Sequence, residues 1–195
     1  MLIIKHRVNT ILELDQTPVE FGVELDVHYD SGNIFVGHEP NDREIKFSNY
    51  LSRYRHSILA VNIKQEGIEK EVIDILEHYQ IKNYFLFDLS FPSLVNQVQN
   101  GQSNIALRIS DYEEVRRVSY FRDKVDWIWL DVFHDAGFLD FVNWSELEGF
   151  KKCVVSPELH AKRDAKLSDK IRGKIETYLN KFDAICTKNE AFWGK

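Results

Sequence analysis

The sequence predicts an α/β fold: a small (β/α)8 TIM-type barrel of parallel strands, with a short hairpin inserted after the second strand. Three observations predict it. Short β-type runs alternate with helix-type runs almost from end to end. Several strand runs are apolar nearly throughout, as strands covered on both faces are. The strand runs number eight, the count that closes a barrel. An open doubly wound sheet is the alternative, weakened because no Gly-rich phosphate loop follows the first strand.

The expected strands are Leu2–Lys5, Gly22–Tyr29, Ile58–Ile63, Asn83–Asp88, Ile105–Ile109, Trp127–Asp131, Cys153–Ser156 and Ala184–Thr187. Amphipathic segments lie between them. Ile68, Val72, Ile75, Leu76 and Tyr79 fall at helical spacing, as do Phe91, Leu94, Val95 and Val98. Tyr112, Val115 and Val118 repeat the pattern, and so do Leu167, Ile171, Ile175 and Tyr178. Such alternation requires crossover connections and hence a parallel sheet. Asp30-Ser31-Gly32-Asn33 reads as a turn between two extended runs, the inserted hairpin. No repeat, low-complexity tract or linker is visible, so residues 1–195 read as one domain, short for a barrel and with trimmed helices.

Composition narrows the function. With 44% hydrophobic and 29% charged residues the chain reads as an ordinary soluble globular protein. A net charge of −6 and no basic stripe argue against nucleic acid as a partner. No apolar run is long enough for a membrane span, and the short apolar start MLII is followed at once by charge, unlike a signal peptide. A cytoplasmic location is the expectation. Cys153 and Cys186 each sit in an apolar run and read as buried core thiols. No basic amphipathic helix suggests docking on a bilayer.

In a barrel of this type the chemistry sits at the carboxyl ends of the strands. The first strand ends in Lys5-His6-Arg7, and the second carries Glu24 and Asp26. The insertion delivers His38-Glu39, and the third strand ends in Asn62-Ile63-Lys64. Glu24 and Asp26 are two apart and so face the same way on a strand. If that face is interior, two confined carboxylates need a cation, and hard oxygen ligands suit Mg²⁺ or Ca²⁺. Taken alone, such a pair is more often a solvated surface feature. His6 and His38 beside it suit acid–base work near neutral pH. Arg7 could hold a phosphate oxygen in its planar fork, or equally pair with a carboxylate.

The order of these residues resembles the glycerophosphodiester phosphodiesterase family, within the phospholipase C-like phosphodiesterase superfamily. The resemblance rests on HRVNT followed by GVELDVHYDSGNIFVGHE, and it extends through VNIK, LSF, RISDYEE, WLDVF and DAICTKN. It implies His6 and His38 as the acid–base pair. It implies Glu24, Asp26 and Asn62 at the metal position, with Mg²⁺ or Ca²⁺, and Arg7 and Lys64 on the phosphate. The chain departs from the family pattern in three places. Val8 stands where the family has a Gly, Glu39 where it has an Asp, and Asn62 where a third metal carboxylate is expected. Two protein charges instead of three imply weaker metal affinity.

Other strand-end polar residues, Arg108, Asp131, Ser156, Glu158 and Thr187, are candidates for the substrate pocket. Trp127 and Trp129 read as packing residues more than as ligand platforms, and His134, Asp135 and His160 as solvated loop residues, with lining of the site's mouth as the alternative. Two functions follow. One is a metal-dependent phosphodiesterase acting on a small polar phosphodiester. The other is a catalytically degenerate barrel that holds a phosphorylated sugar or head group without cleaving it. A different lyase or isomerase chemistry on the same fold stays open, since fold does not fix function. The oligomeric state is not legible.

Overall fold

The computed structural model describes residues 1–160 and 164–194. Its strands are β1 (Leu2–Lys5), β2 (Gly22–Asp30), β3 (Asn33–Val36), β4 (Ile45–Lys46), β5 (Leu59–Ile63), β6 (Tyr84–Phe87), β7 (Ala106–Ile109), β8 (Trp127–Leu130), β9 (Lys151–Val155) and β10 (Ala184–Thr187). They form one mostly parallel sheet in the order β4-β3-β2-β1-β10-β9-β8-β7, with β5 on β2 and β6 on β5. No strand pairing joins β6 to β7 among the described residues, so hydrogen bonds do not close the sheet.

The chain divides into two compact units. The N-terminal unit is Ile4–Asn100; the C-terminal unit is Met1–Ile3 with Gly101–Lys195. In the N-terminal unit, Val23, Leu25 and Val27 of β2 pack with Leu59, Val61 and Ile63 of β5 and Leu86 of β6. Val72 and Leu76 of the helix Glu69–His78 and Phe47, Tyr50 and Leu51 of the helix Phe47–Arg53 complete that core. In the C-terminal unit, Ile128, Leu130, Val154 and Ile185 of the strands are buried, as are Ile171 and Ile175 of the helix Ala165–Thr177. Cys153 and Cys186 are buried thiols outside any disulfide, as their apolar runs predict. Trp127 and Trp129 are buried as well. No helix among the described residues is long and apolar enough to cross a membrane.

The hairpin is where the sequence puts it. β2 and β3 pair antiparallel from Val27↔Val36 to Asp30↔Asn33. Ser31 (φ 47°) and Gly32 (φ 82°) both turn left-handed, the requirement of a two-residue type I′ turn. β4 adds a third antiparallel strand against β3 that the sequence did not announce. The segment from Tyr112 differs more. In place of an amphipathic α-helix it forms a 3-10 helix, Val115–Phe121. Its buried residues, Val118 and Phe121, are three apart, the 3-10 repeat. Ser110 diverts the start of the segment, since its Oγ accepts from Tyr112 N and donates to Glu113.

Val8 follows β1 and is a core residue, 1% exposed. Its N–H donates to Glu24 O at 2.8 Å, and its carbonyl accepts from the buried Tyr50 hydroxyl at 2.8 Å. The Val8 side chain therefore fills the core. Val8→Gly is expected to cost about 2–4 kcal/mol, from the cavity and the added backbone freedom. Urea unfolding checks this; unchanged stability would mean that Val8 carries no core packing.

Candidate active site

The site of the N-terminal unit grows out of β2. On this strand Val23, Leu25 and Val27 face the core, so Glu24, Asp26 and His28 share the other face. That face is covered too: Glu24 and Asp26 are each 1% exposed and His28 4%. Two buried carboxylates on one strand must be neutralised or hydrogen-bonded. The residues after β1 do most of this. Arg7 takes a left-handed backbone (φ 53°), unusual for a side chain of its size. The turn aims its N–H at Glu24 Oε2, 2.7 Å away. Two residues on, Asn9 grips Asp26 twice: Nδ2 donates to Oδ2 at 2.9 Å, and Oδ1 accepts from the Asp26 N–H at 3.0 Å. Thr10 then starts the helix Ile11–Gln16 with a capping box, in which Glu13 answers through the Thr10 N–H.

Cations surround Asp26. Lys64 Nζ lies 3.0 Å from Oδ1, and Arg7 Nε 3.7 Å from Oδ2. Lys64 is placed by β5, whose Asn62 stands in register with Asp26. His38 arrives on the chain leaving β3, with Nδ1 3.4 Å from Asp26 Oδ2. Its Nε2 faces Arg7 Nη2 at 3.1 Å. A guanidinium only donates, so Nε2 carries the lone pair and the ring proton sits on Nδ1, toward Asp26. On the other side of the cluster, His6 Nε2 lies 3.7 Å from Glu24 Oε2. The structure thus gathers all seven residues singled out at these positions: His6, Arg7, Glu24, Asp26, His38, Asn62 and Lys64.

The two carboxyls diverge electrostatically. Burial, with Asp26 adding to it, pushes the Glu24 carboxyl up to about 8. Burial acts on Asp26 as well, but the Asn9 hydrogen bond and the Lys64 ammonium overcome it and hold this carboxyl below its ordinary value.

Glu24 Oε1, Asp26 Oδ1 and Asn62 Oδ1 are buried and accept no hydrogen bond among the described residues. Three such acceptors fit a cation, which would satisfy all of them. Against a tight site, Lys64 already lies on Asp26 Oδ1. Among the described residues no three His, Cys, Asp or Glu side chains converge as a metal would need. The residues that could hold a cation here are Glu24, Asp26 and Asn62, a donor set of two carboxyls and an amide.

The remaining candidates belong to the C-terminal unit. Glu158 accepts from Ser156 Oγ, from Thr187 Oγ1 at 2.5 Å and from Lys188 N at 3.1 Å. Asp131 is buried and pairs with His160 at 2.7 Å, so His160 is bonded where the sequence reads it as a solvated loop residue. The guanidinium of Arg108 lies over the Phe133 ring. His134 and Asp135 are exposed, as expected of loop residues.

Sequence reasoning passed over Asn9, His28 and Tyr50. Period two from Glu24 points to His28. Asn9 offers only the signal of a polar residue between buried Val8 and a helix cap. Tyr50, 42 residues from the carbonyl it holds, offers none. No protein-family model matches the chain, and no curated protein matches it.

Glu24 sets a pH dependence. The folded carboxyl keeps its proton to about pH 8, while the unfolded one releases it near the ordinary 4.5. The stability this contributes is fully present below the unfolded value and is lost as pH rises toward 8. Each unit is worth about 1.4 kcal/mol, so the loss is several kcal/mol. Asp26, shifted downward, acts only at more acid pH and with opposite sign. In chelator, urea unfolding should show falling stability from about pH 5 to 8, and Glu24→Gln should flatten that slope. An unaltered slope in the variant would exclude Glu24 as its source.

Proposed function

We propose that the N-terminal unit binds and cleaves a small, polar phosphodiester. The reading rests above all on His38, held between Asp26 and Arg7 with its lone-pair nitrogen 3.1 Å from a guanidinium nitrogen. A phosphate oxygen on Arg7 then lies beside a base whose tautomer is fixed. In the proposed reaction His38 Nε2 takes the proton of the attacking hydroxyl. The new P–O bond forms, the bond to the leaving oxygen breaks, and His6 supplies the proton that oxygen needs. Arg7 and Lys64 offset the charge on the non-bridging oxygens. Glu24, Asp26 and Asn62 would hold Mg²⁺ or Ca²⁺, which when bound supplies positive charge to the same oxygens. The reading expects the strands to close as a TIM-type barrel, the frame in which strand-end clusters act. It takes the substrate to be soluble and met in the cytoplasm.

One observation favours the second reading, a site that holds a phosphorylated sugar or head group without cleaving it. Asn62 brings no charge, and Lys64 lies on Asp26 instead of open to ligand. Turnover separates the two.

With Mg²⁺, Ca²⁺ or Mn²⁺ present, the chain should release p-nitrophenol from bis(p-nitrophenyl) phosphate. His6→Ala and His38→Ala should each lower that rate by about a hundredfold or more while leaving folding intact. Full activity in both variants would sink the mechanism; binding of a phosphate ester without turnover would support the second reading. Calorimetry at neutral pH should show weak divalent binding by the wild type, tightened by about tenfold or more in Asn62→Glu, as an added ligand charge should do. Equal affinities would overturn the assigned role of Asn62.

A further inference from the structure

We propose that His28 and Asp42 are positioning residues that set the place of the His38 imidazole from behind, by fixing the backbone on either side of it. The consequence for turnover rests on the reading of His38 as the base; the placement itself does not. Side chains hold the His38 ring only lightly. Arg7 Nη2 donates to Nε2 at 3.1 Å, and that guanidinium is itself 40% exposed. Asp26 Oδ2 lies 3.4 Å from Nδ1 without a hydrogen bond, and the Glu39 carboxylate, 3.8 Å from Nε2, is exposed. A ring held so loosely takes its place from the backbone that carries it. Before His38, Gly37 N donates to Asp26 O at 3.0 Å, and Gly37 O accepts from His28 Nδ1 at 3.4 Å. After it, Asp42 Oδ2 accepts from Glu39 N at 2.9 Å, and Asp42 N donates to Glu39 O at 3.0 Å. The two grips meet at Gly37, where a Cβ would collide with Asp42 Cβ, so glycine alone lets the loop fold back this closely.

Packing alone does not account for a histidine at position 28. The residue is buried, pairs across the hairpin with Phe35 and stacks on its ring, with centroids 6.2 Å apart. A carbonyl only accepts, so Nδ1 carries the proton toward Gly37 O and Nε2 is left with the lone pair. That Nε2 is buried and meets no donor among the described residues. An apolar ring would stack on Phe35 without leaving a buried polar atom unsatisfied. What the histidine adds is the Nδ1 donor on the residue before His38. Asp42 adds the matching acceptor on the residue after it. Both residues act through the backbone of His38, and neither is placed on the reacting atoms.

The full chain, labelled with ¹⁵N-histidine, tests this by long-range ¹H–¹⁵N spectra, with the His38 signals identified through His38→Gln. The wild type should show one His38 tautomer, with its proton on Nδ1. His28→Phe keeps a flat ring against Phe35 and loses the donor; it should move the His38 signals toward the averaged pattern of a free imidazole. His28→Asn puts an amide N–H where Nδ1 stood and should restore the wild-type pattern. Asp42 is half-buried and gives a second pair outside the core. Asp42→Ala should disturb the His38 signals in the same way, while Asp42→Asn, which keeps an acceptor, should leave them in place. With bis(p-nitrophenyl) phosphate, His28→Phe and Asp42→Ala should each lower kcat by about tenfold or more with KM little changed. A wild-type His38 already averaged between tautomers, or His38 signals unmoved in His28→Phe and Asp42→Ala, would overturn the proposal. So would equal shifts in the donor-free and donor-bearing variants of His28. Absent hydrolysis with His38 signals that respond as expected removes only the phosphodiester reading, and hydrolysis with unmoved His38 signals removes only this one.

Discussion

The N-terminal unit is organised around one constraint, the burial of Glu24 and Asp26 on the same face of β2. Taking a carboxylate out of water costs several kcal/mol unless charge and hydrogen bonds return what water gave. Each unusual feature nearby answers that demand. The left-handed turn at Arg7 points a backbone donor at Glu24. Asn9 clamps both the side chain and the backbone of Asp26. Lys64, Arg7 and His38 bring three cationic or polar groups to the Asp26 oxygens. The Tyr50 hydroxyl, buried in the core, holds the carbonyl of Val8 between Arg7 and Asn9. A strained residue persists only where its surroundings over-determine it, and here they do from both sides.

The same strand supplies the core. Val23, Leu25 and Val27 alternate with the polar residues and pack against β5. A register slip of one residue would exchange the two faces entirely, so hydrophobic packing and the polar cluster enforce the same register. β5 shares the arrangement, with Val61 and Ile63 in the core and Asn62 and Lys64 at the site. Stability and site geometry are therefore coupled through backbone hydrogen bonds as much as through side chains.

What the sequence reveals follows from which interactions are local. Apolar runs such as Val154–Val155 and Ile185–Cys186 report burial on both faces, and the parallel pairing of β9 and β10 agrees. Ser31-Gly32 announces a tight turn because only certain residues accept that backbone. The segment Tyr112–Val118 misleads because spacings of three fit both a short amphipathic α-helix and a 3-10 turn, and Ser110 decides between them through a contact that periodicity does not encode. At the site, period two aligns Glu24 with Asp26 but does not say whether they are solvated. Their burial depends on Asn9, Lys64 and Tyr50, brought in by the tertiary fold. The closing of a strand set is equally non-local: eight parallel runs can be counted in the chain, while the shear that would join β6 to β7 has no local signature.

Two carboxyls two residues apart end with opposite protonation, and this shapes what the site can do. Asp26, clamped by Asn9 and faced by Lys64, stays ionised; Glu24, enclosed with one oxygen lacking a donor, holds its proton to about pH 8. Environments that separate the pKa values of paired carboxyls divide their roles. The ionised member lies 3.4 Å from His38 Nδ1. The protonated member, beside His6, presents a neutral pair of oxygens to whatever enters. A divalent cation would find one preformed charge at neutral pH and would have to expel the Glu24 proton to gain the second. A carboxylate in place of Asn62 would push the Glu24 carboxyl still higher, so the amide removes one potential ligand charge and one like-charge neighbour together. With Glu24 protonated and Asp26 faced by Lys64 and Arg7, this face of β2 is buried without two unopposed negative charges.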